Sequence, residues 1–296
     1  MPFNTMTRKL AYFVSERESV RMKKLSDPAQ TEPWTEDEIL QKYRFCNVHR
    51  ADDRVSRWII ENIIEPYNDN DWLWIMLACA RYINWPPTII ELIERGEWPV
   101  ASFSPTAFGG VIDRRAEKGK KAWTGAYVIT GRNIPPGMGK GVFVAKSMLE
   151  PLFHNVEIPK YLNTTAPEER SVQAVLKMFE GIYGWGTFMS GQVVADMTYC
   201  HLLSEAKDLK TFAPIGPGST RGLNRIYGRS LEQSIPQERF NDELMETLET
   251  CKPVADINLN SLTLHDWQNC MCEFDKYIRA TNGGRPRSNY IPETAY

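Results

Sequence analysis

No charge of one sign dominates this 296-residue chain: 35 Lys and Arg stand against 37 Asp and Glu, a formal net charge of −2. A globally basic surface for nucleic acid is therefore excluded, and any such contact must come from local patches. Long apolar runs are also missing. The best, Trp72–Ile83, is interrupted by Arg81 and falls short of the ~20 residues a bilayer requires, so neither a membrane span nor a membrane partner is expected. Met1–Lys24 holds six basic side chains and no continuous apolar stretch, unlike a secretory leader.

Histidine is scarce, at four residues, and the six cysteines are scattered apart from Cys270 and Cys272. A lone Cys-x-Cys lacks the further Cys or His that zinc and iron–sulfur sites need at fixed distances. The thiols therefore read as reduced, with no metal and no cofactor. A Walker A motif is absent too. In Pro135-Pro-Gly-Met-Gly-Lys-Gly141, Lys140 is followed by Gly141 where Ser or Thr is required, which argues against a self-contained P-loop kinase.

What is present is aromatic and helical. The 9 Trp, 12 Tyr and 12 Phe exclude global disorder, and the length allows a sizeable core. Helical periodicity dominates, predicting a mainly α fold with at most a small β element, for which Ala126–Thr130 is the best strand candidate. Residues 1–31 read as a basic N-terminal arm. Residues 32–296 read as one helical domain, or as two lobes divided near 155–165. Thr35-Glu-Asp-Glu38 reads as a capping box that starts a helix. Leu264, Trp267, Met271, Phe274 and Ile278 recur at steps of three and four, so that face is core. Gln268, Asp275 and Arg279 then point away from it, with Glu273 and Lys276 on its flanks.

Several constellations offer chemistry. Phe179–Ser190 reads as a helix, a tight Gly184-Trp185-Gly186 turn and a second helix, the pattern of a helix-hairpin-helix. Glycine there lets backbone N–H groups reach a DNA phosphate, which makes Gly184, Gly186 and Thr187 candidate DNA contacts. A plain glycine turn between packed helices is the alternative. Gly216-Pro-Gly218 leads into a helix capped by Ser219, with Arg221 in the first turn, where a guanidinium can grip phosphate oxygens. A β-branched residue at 218 should then abolish turnover and leave the fold intact. His49, Glu273 and Asp275 are candidate proton acceptors, although carboxylates on a solvated helix face would look the same. Eight basic and two acidic residues lie between Asp113 and Lys146. Lys140 from that stretch, with Arg54, Arg285 and Arg287, completes the candidate DNA contacts.

The hairpin and the Gly-Pro-Gly segment together resemble the core of helix-hairpin-helix DNA glycosylases. Gly216 stands where that family's catalytic aspartate would be, and the setting of Asp208, Ala206-Lys-Asp-Leu209, does not match the family's pattern. Arg44–Arg54, Ala213–Arg225, and Cys272–Arg279 followed by Gly284-Arg-Pro-Arg-Ser288 jointly resemble the bacteriophage α-glutamyl/putrescinyl thymine pyrophosphorylase family. That family is similar in turn to the helical domain of 5-hydroxymethyluracil DNA kinases. The likeness runs from about Tyr43 to Tyr290. It implies thymine hypermodification in double-stranded phage DNA, in the cytoplasm of an infected bacterium. A phosphorylated 5-hydroxymethyluracil, prepared by the kinase, would be flipped out of the duplex. An amine co-substrate (glycine, glutamate or putrescine) would then displace its pyrophosphate. In that reading Gly216, Gly218, Ser219 and Arg221 hold the pyrophosphate, and Asp275, Glu273 or His49 keeps the amine neutral. The rivals are a glycosylase using Asp208 or Asp196, and a non-catalytic DNA-binding partner of the kinase.

Overall fold

The computed structural model describes residues 4–27, 29, 32–99, 102–125 and 133–284. Among them there is no strand, so the fold is mainly α. The strand expected at Ala126–Thr130 lies outside the described residues, as do Arg285 and Arg287. In chain order the helices are α1 (Thr5–Ser26), α2 (Glu38–Lys42), α3 (Arg54–Ile59), α4 (Leu73–Ile83), α5 (Pro86–Glu94), α6 (Pro105–Glu117) and α7 (Lys140–Val144). They continue as α8 (Glu150–Phe153), α9 (Glu157–Thr164), α10 (Val172–Glu180), α11 (Thr187–Met197), α12 (Pro217–Ile226), α13 (Gln237–Cys251) and α14 (Leu264–Thr281). A π turn extends α3, and another, Ala145–Leu149, joins α7 to α8. No helix among the described residues is long and apolar enough to cross a membrane.

Two compact units form: Met1–Asp53 with Asp208–Ala295, and Arg54–Lys207. Residues 155–165 fall inside the second of these. In the first unit the expected N-terminal arm is instead the 22-residue α1. Leu10, Phe13 and Val14 recur at three and four on one face and are completely buried. Charged residues fill the other faces, so the average polarity of the segment hides its apolar stripe. Phe13 lies 4.6 Å from the Tyr277 ring and 5.3 Å from Phe45. Phe240 and Leu244 of α13 join the same core, with Leu264, Trp267, Met271 and Phe274 of α14.

Helix starts are set by short polar side chains. At α14, Thr263 and Asp266 form a reciprocal capping box. At α2 the cap is Asp37, which accepts from the N–H groups of Ile39 and Leu40. Thr35, expected in that role, accepts from Asp37 N–H at 3.0 Å and so sits two residues too early. In the second unit every residue of α4 is buried, and Asn84 ends that helix in the left-handed region, with φ 45°. Phe179, Tyr82 and Trp185 pack together there, with ring centres 5.2–5.3 Å apart for the two Trp185 contacts.

Candidate functional site

Helix α12 starts at a bend that no side chain caps: Gly216 is the extended residue before it, and Pro217 fills the first helical position. Ser219, expected as the cap, lies inside the helix. Its hydroxyl donates to the Gly216 carbonyl at 2.9 Å and accepts from Gln268 Nε2 at 3.0 Å. Gly216 is half-buried and Pro217 exposed, so the bend opens to solvent, whereas Gly218 and Ser219 are buried. A Cβ at Gly218 would lie 2.3 Å from Cys272 Sγ, and one at Gly222 would lie 2.4 Å from the Met271 carbonyl oxygen. These glycines let α12 lie directly on α14. A β-branched residue at 218 would therefore separate the two helices, and the expectation that it leaves the fold intact does not hold.

The charged centre of this unit is Asp275. The helical pattern of α14 turned it away from the core, yet it is completely buried, because arginines from α12 close over it. Arg221 Nε reaches Oδ2 at 3.0 Å, Arg225 Nε reaches Oδ1 at 2.8 Å, and Arg279 Nε reaches Oδ2 at 3.2 Å. Such charge-assisted bonds are roughly twice as strong as neutral ones. Asp275 thus holds arginines, and its lone pairs are committed to them. Arg225 and Arg279 were not among the expected site residues. The signal for them was spacing: Arg221 and Arg225, and Asp275 and Arg279, are each four apart and share a helix face.

The other two expected proton acceptors sit elsewhere. Glu273 accepts from the Cys46 N–H at 3.2 Å and pairs with Lys276 at 3.2 Å. It is two residues from Asp275 and so faces a different direction on α14. His49 Nε2 lies 3.5 Å from the Ser261 hydroxyl. The structure therefore does not bring His49, Glu273 and Asp275 into one group. Sequence reasoning overlooked Asp53, a half-buried carboxylate that accepts the Asn47 N–H at 2.8 Å. Burial pushes its carboxyl up to about 6, against the opposing pull of that N–H and of Arg50. Nothing in the Asp52-Asp53 pair marked one of them out.

In the second unit a tight turn joins α10 to α11. Gly184 has φ 85°, and a Cβ there would lie 2.0 Å from Met148 Sδ, so both handedness and packing demand glycine. Trp185 is buried and donates through Nε1 to the Met148 carbonyl at 2.8 Å. Gly186 precedes α11 with open space around it, and the Thr187 hydroxyl donates to Glu180. The turn itself is exposed, and Tyr183 and Phe188 flank it at the surface.

The glycine-rich loop before α7 is closed from within. Asp113 accepts from Gly141 N–H at 2.6 Å and from Val142 N–H at 3.1 Å, filling the helix start from within the protein. Lys140 follows, its ammonium 5.6 Å from the centre of the Trp123 ring, and burial lowers its proton affinity. Lys121 stands 3.8 Å over Trp85 and is lowered by burial and then by Arg54, the first residue of α3. Deeper in, Arg81 grips both oxygens of Asp196 at 2.5 and 2.6 Å and also reaches Ser56 and Asn84. Asp196 is completely buried and so cannot meet a flipped base as a glycosylase carboxylate would.

Residues 4–284 match the family described as the 5-hmdU DNA kinase helical domain. This chain belongs to that family. The match takes in both units, including the Asp275 centre and the α10–α11 hairpin. One curated relative is a 5-hmdU DNA kinase of Bacillus phage SP10, 21% identical over 236 residues. That alignment covers 73% of this chain and 36% of the phage kinase, so the chain spans about a third of that relative's length. No solved structure matches.

Proposed function

We propose that this chain acts in thymine hypermodification of phage DNA, as a transferase that replaces the pyrophosphate of a phosphorylated 5-hydroxymethyluracil with an amine. The observation that carries the reading is the open, uncapped start of α12 with Arg221 one turn into the helix, in a member of this family. A helix start attracts anions, and a guanidinium beside it stabilises charge that develops on a departing diphosphate. The amine nitrogen forms a bond to the exocyclic methylene carbon while the C–O bond to pyrophosphate breaks. The pyrophosphate leaves with the electron pair, and the new ammonium gives up one proton. His49 suits that proton best, since Glu273 and Asp275 are committed to other partners. Glycine, glutamate and putrescine are the candidate amines.

The glycosylase-like reading of the α10–α11 hairpin assigns duplex contact to Gly184, Gly186 and Thr187, with base flipping into a pocket. Arg54, Lys140, Arg285 and Arg287 would add phosphate contacts, so binding should weaken steeply with salt. A kinase of the kind named in the family would supply the substrate.

The test is incubation of DNA carrying the pyrophosphorylated base with each amine, followed by nucleoside mass spectrometry. An amine-bearing nucleoside and released pyrophosphate are expected, with Arg221→Ala reducing turnover about 10²-fold. An abasic product would mean a glycosylase. A second reading, a non-catalytic DNA-binding portion of a kinase, is favoured by the chain's span of 36% of the SP10 enzyme. It predicts an unaltered base, and weaker DNA binding by Arg221→Ala.

A further inference from the structure

We infer that Arg221, Arg225 and Arg279, held by Asp275, form a clamp for a dianionic phosphoryl group, whether on a diphosphate or on a phosphomonoester. The stoichiometry carries the argument. A buried aspartate is satisfied by one arginine when both oxygens are gripped, as Asp196 is by Arg81. Asp275 has three, and their charges exceed its own by two. Among the described residues Asp275 is the hydrogen-bonding partner of all three guanidiniums, and each engages it through Nε alone.

That geometry spends one N–H of each guanidinium on the carboxylate and leaves the Nη groups out of those bonds. The side chains are 28%, 12% and 47% exposed, so a solute can reach the cluster while its carboxylate stays dry. Parallel N–H pairs on a fixed guanidinium match phosphoryl oxygens, and a rigid carboxylate beneath them lowers the entropy lost on binding. A surplus of two charges suits a phosphoryl group with two negative charges better than a DNA phosphodiester with one. In this arrangement Asp275 is a positioning residue. Identifying the ligand with a departing pyrophosphate rests on the transferase reading, whereas the binding itself does not.

Calorimetric titration of the full chain with inorganic pyrophosphate, with orthophosphate, and with pyrophosphate in the presence of unmodified duplex tests the clamp. Saturable pyrophosphate binding that the duplex does not displace is expected. Arg225→Met and Arg279→Met should each weaken it at least tenfold, and Arg279→Lys should weaken it too, because it keeps the charge and loses the planar fork. Asp275→Asn raises the local positive charge, yet should bind more weakly because the forks are released. No binding of either phosphate, unchanged affinity in the methionine variants, full affinity in Arg279→Lys, tighter binding by a folded Asp275→Asn, or displacement by duplex would each overturn the clamp. Should Asp275→Asn not fold, the exposed Arg279 variants decide alone. Pyrophosphate binding without amine transfer would keep the clamp and remove the transferase reading. Transfer that survives loss of pyrophosphate binding would do the reverse.

Discussion

Asp275 and Asp196 are both completely buried carboxylates on helices, both facing arginine, and they are built in opposite ways. Asp196 meets one guanidinium with both oxygens, and two further N–H groups of that guanidinium go to Ser56 and Asn84. Its charges cancel, and Arg81 is 4% exposed at its side chain. Asp275 meets three guanidiniums by single bonds, and all three side chains reach solvent to some degree. The difference separates two uses of one chemical pair. A closed, neutral pair can only hold a fold together, whereas an open one with surplus charge retains the capacity to bind something else.

The largest effect that could break this contrast lies at the closed pair. Arg81→Met leaves Asp196 charged and unpaired in the interior and should cost about 3–5 kcal/mol, read by urea denaturation. Arg279→Met, at the open centre, should cost under about 1 kcal/mol, since that side chain is nearly half exposed and its salt bridge is largely screened. Equal losses at the two positions would erase the distinction. A second, smaller loss tests the platform beneath the open centre. Gly222→Val would press a side chain into the Met271 carbonyl, where a Cβ already falls at 2.4 Å, and should cost about 1–3 kcal/mol. Thermal unfolding followed by circular dichroism measures it, and an unchanged midpoint would mean that α12 and α14 can separate freely.

Much of the helical frame was legible in the sequence, because heptad-like spacing reports burial directly. Leu264, Trp267, Met271, Phe274 and Ile278 predict the buried face of α14, and all five are buried. The same method misplaced Asp275, since periodicity assigns a face to the core or to solvent and cannot foresee a neighbouring helix that brings arginines to the polar side. It also missed α1, where charged residues surround the stripe of Leu10, Phe13 and Val14. At the bend, Gly-Pro-Gly announced a helix start, which falls at Pro217 and not after Ser219. The division of labour among its residues was not legible. Gly218 serves contact with Cys272, and Ser219 serves Gln268, and both partners lie some fifty positions along the chain.

A third test carries the comparison to helix starts. The α12 start is uncapped, while the α7 start is filled by Asp113. Asp113→Asn keeps one oxygen acceptor and loses the second together with the charge. It should cost about 1 kcal/mol in denaturant titration. It should also raise the sensitivity of thermal stability to added phosphate, as the vacated start becomes available to an outside anion. A variant as phosphate-insensitive as the parent would show that the glycine loop is shaped for Asp113 alone.

The last test concerns Asp53, a third carboxylate, whose hydrogen bond comes from the backbone N–H of Asn47 and not from a guanidinium. Burial raises its carboxyl to about 6, from an ordinary value near 3.9 in an unfolded chain. Arg50 and Arg17 oppose that rise, while Glu273 adds to it. The folded state therefore holds the proton more tightly than the unfolded one. Its contribution to stability is complete below about pH 4, declines as pH climbs toward 6, and stays lost above that. Asp53→Asn keeps an oxygen for the Asn47 N–H and removes the titration. Urea midpoints of the two proteins should coincide near pH 4, with the variant the more stable at pH 7. The opposite order at pH 7 would mean that Arg17 and Arg50 stabilise an ionised Asp53.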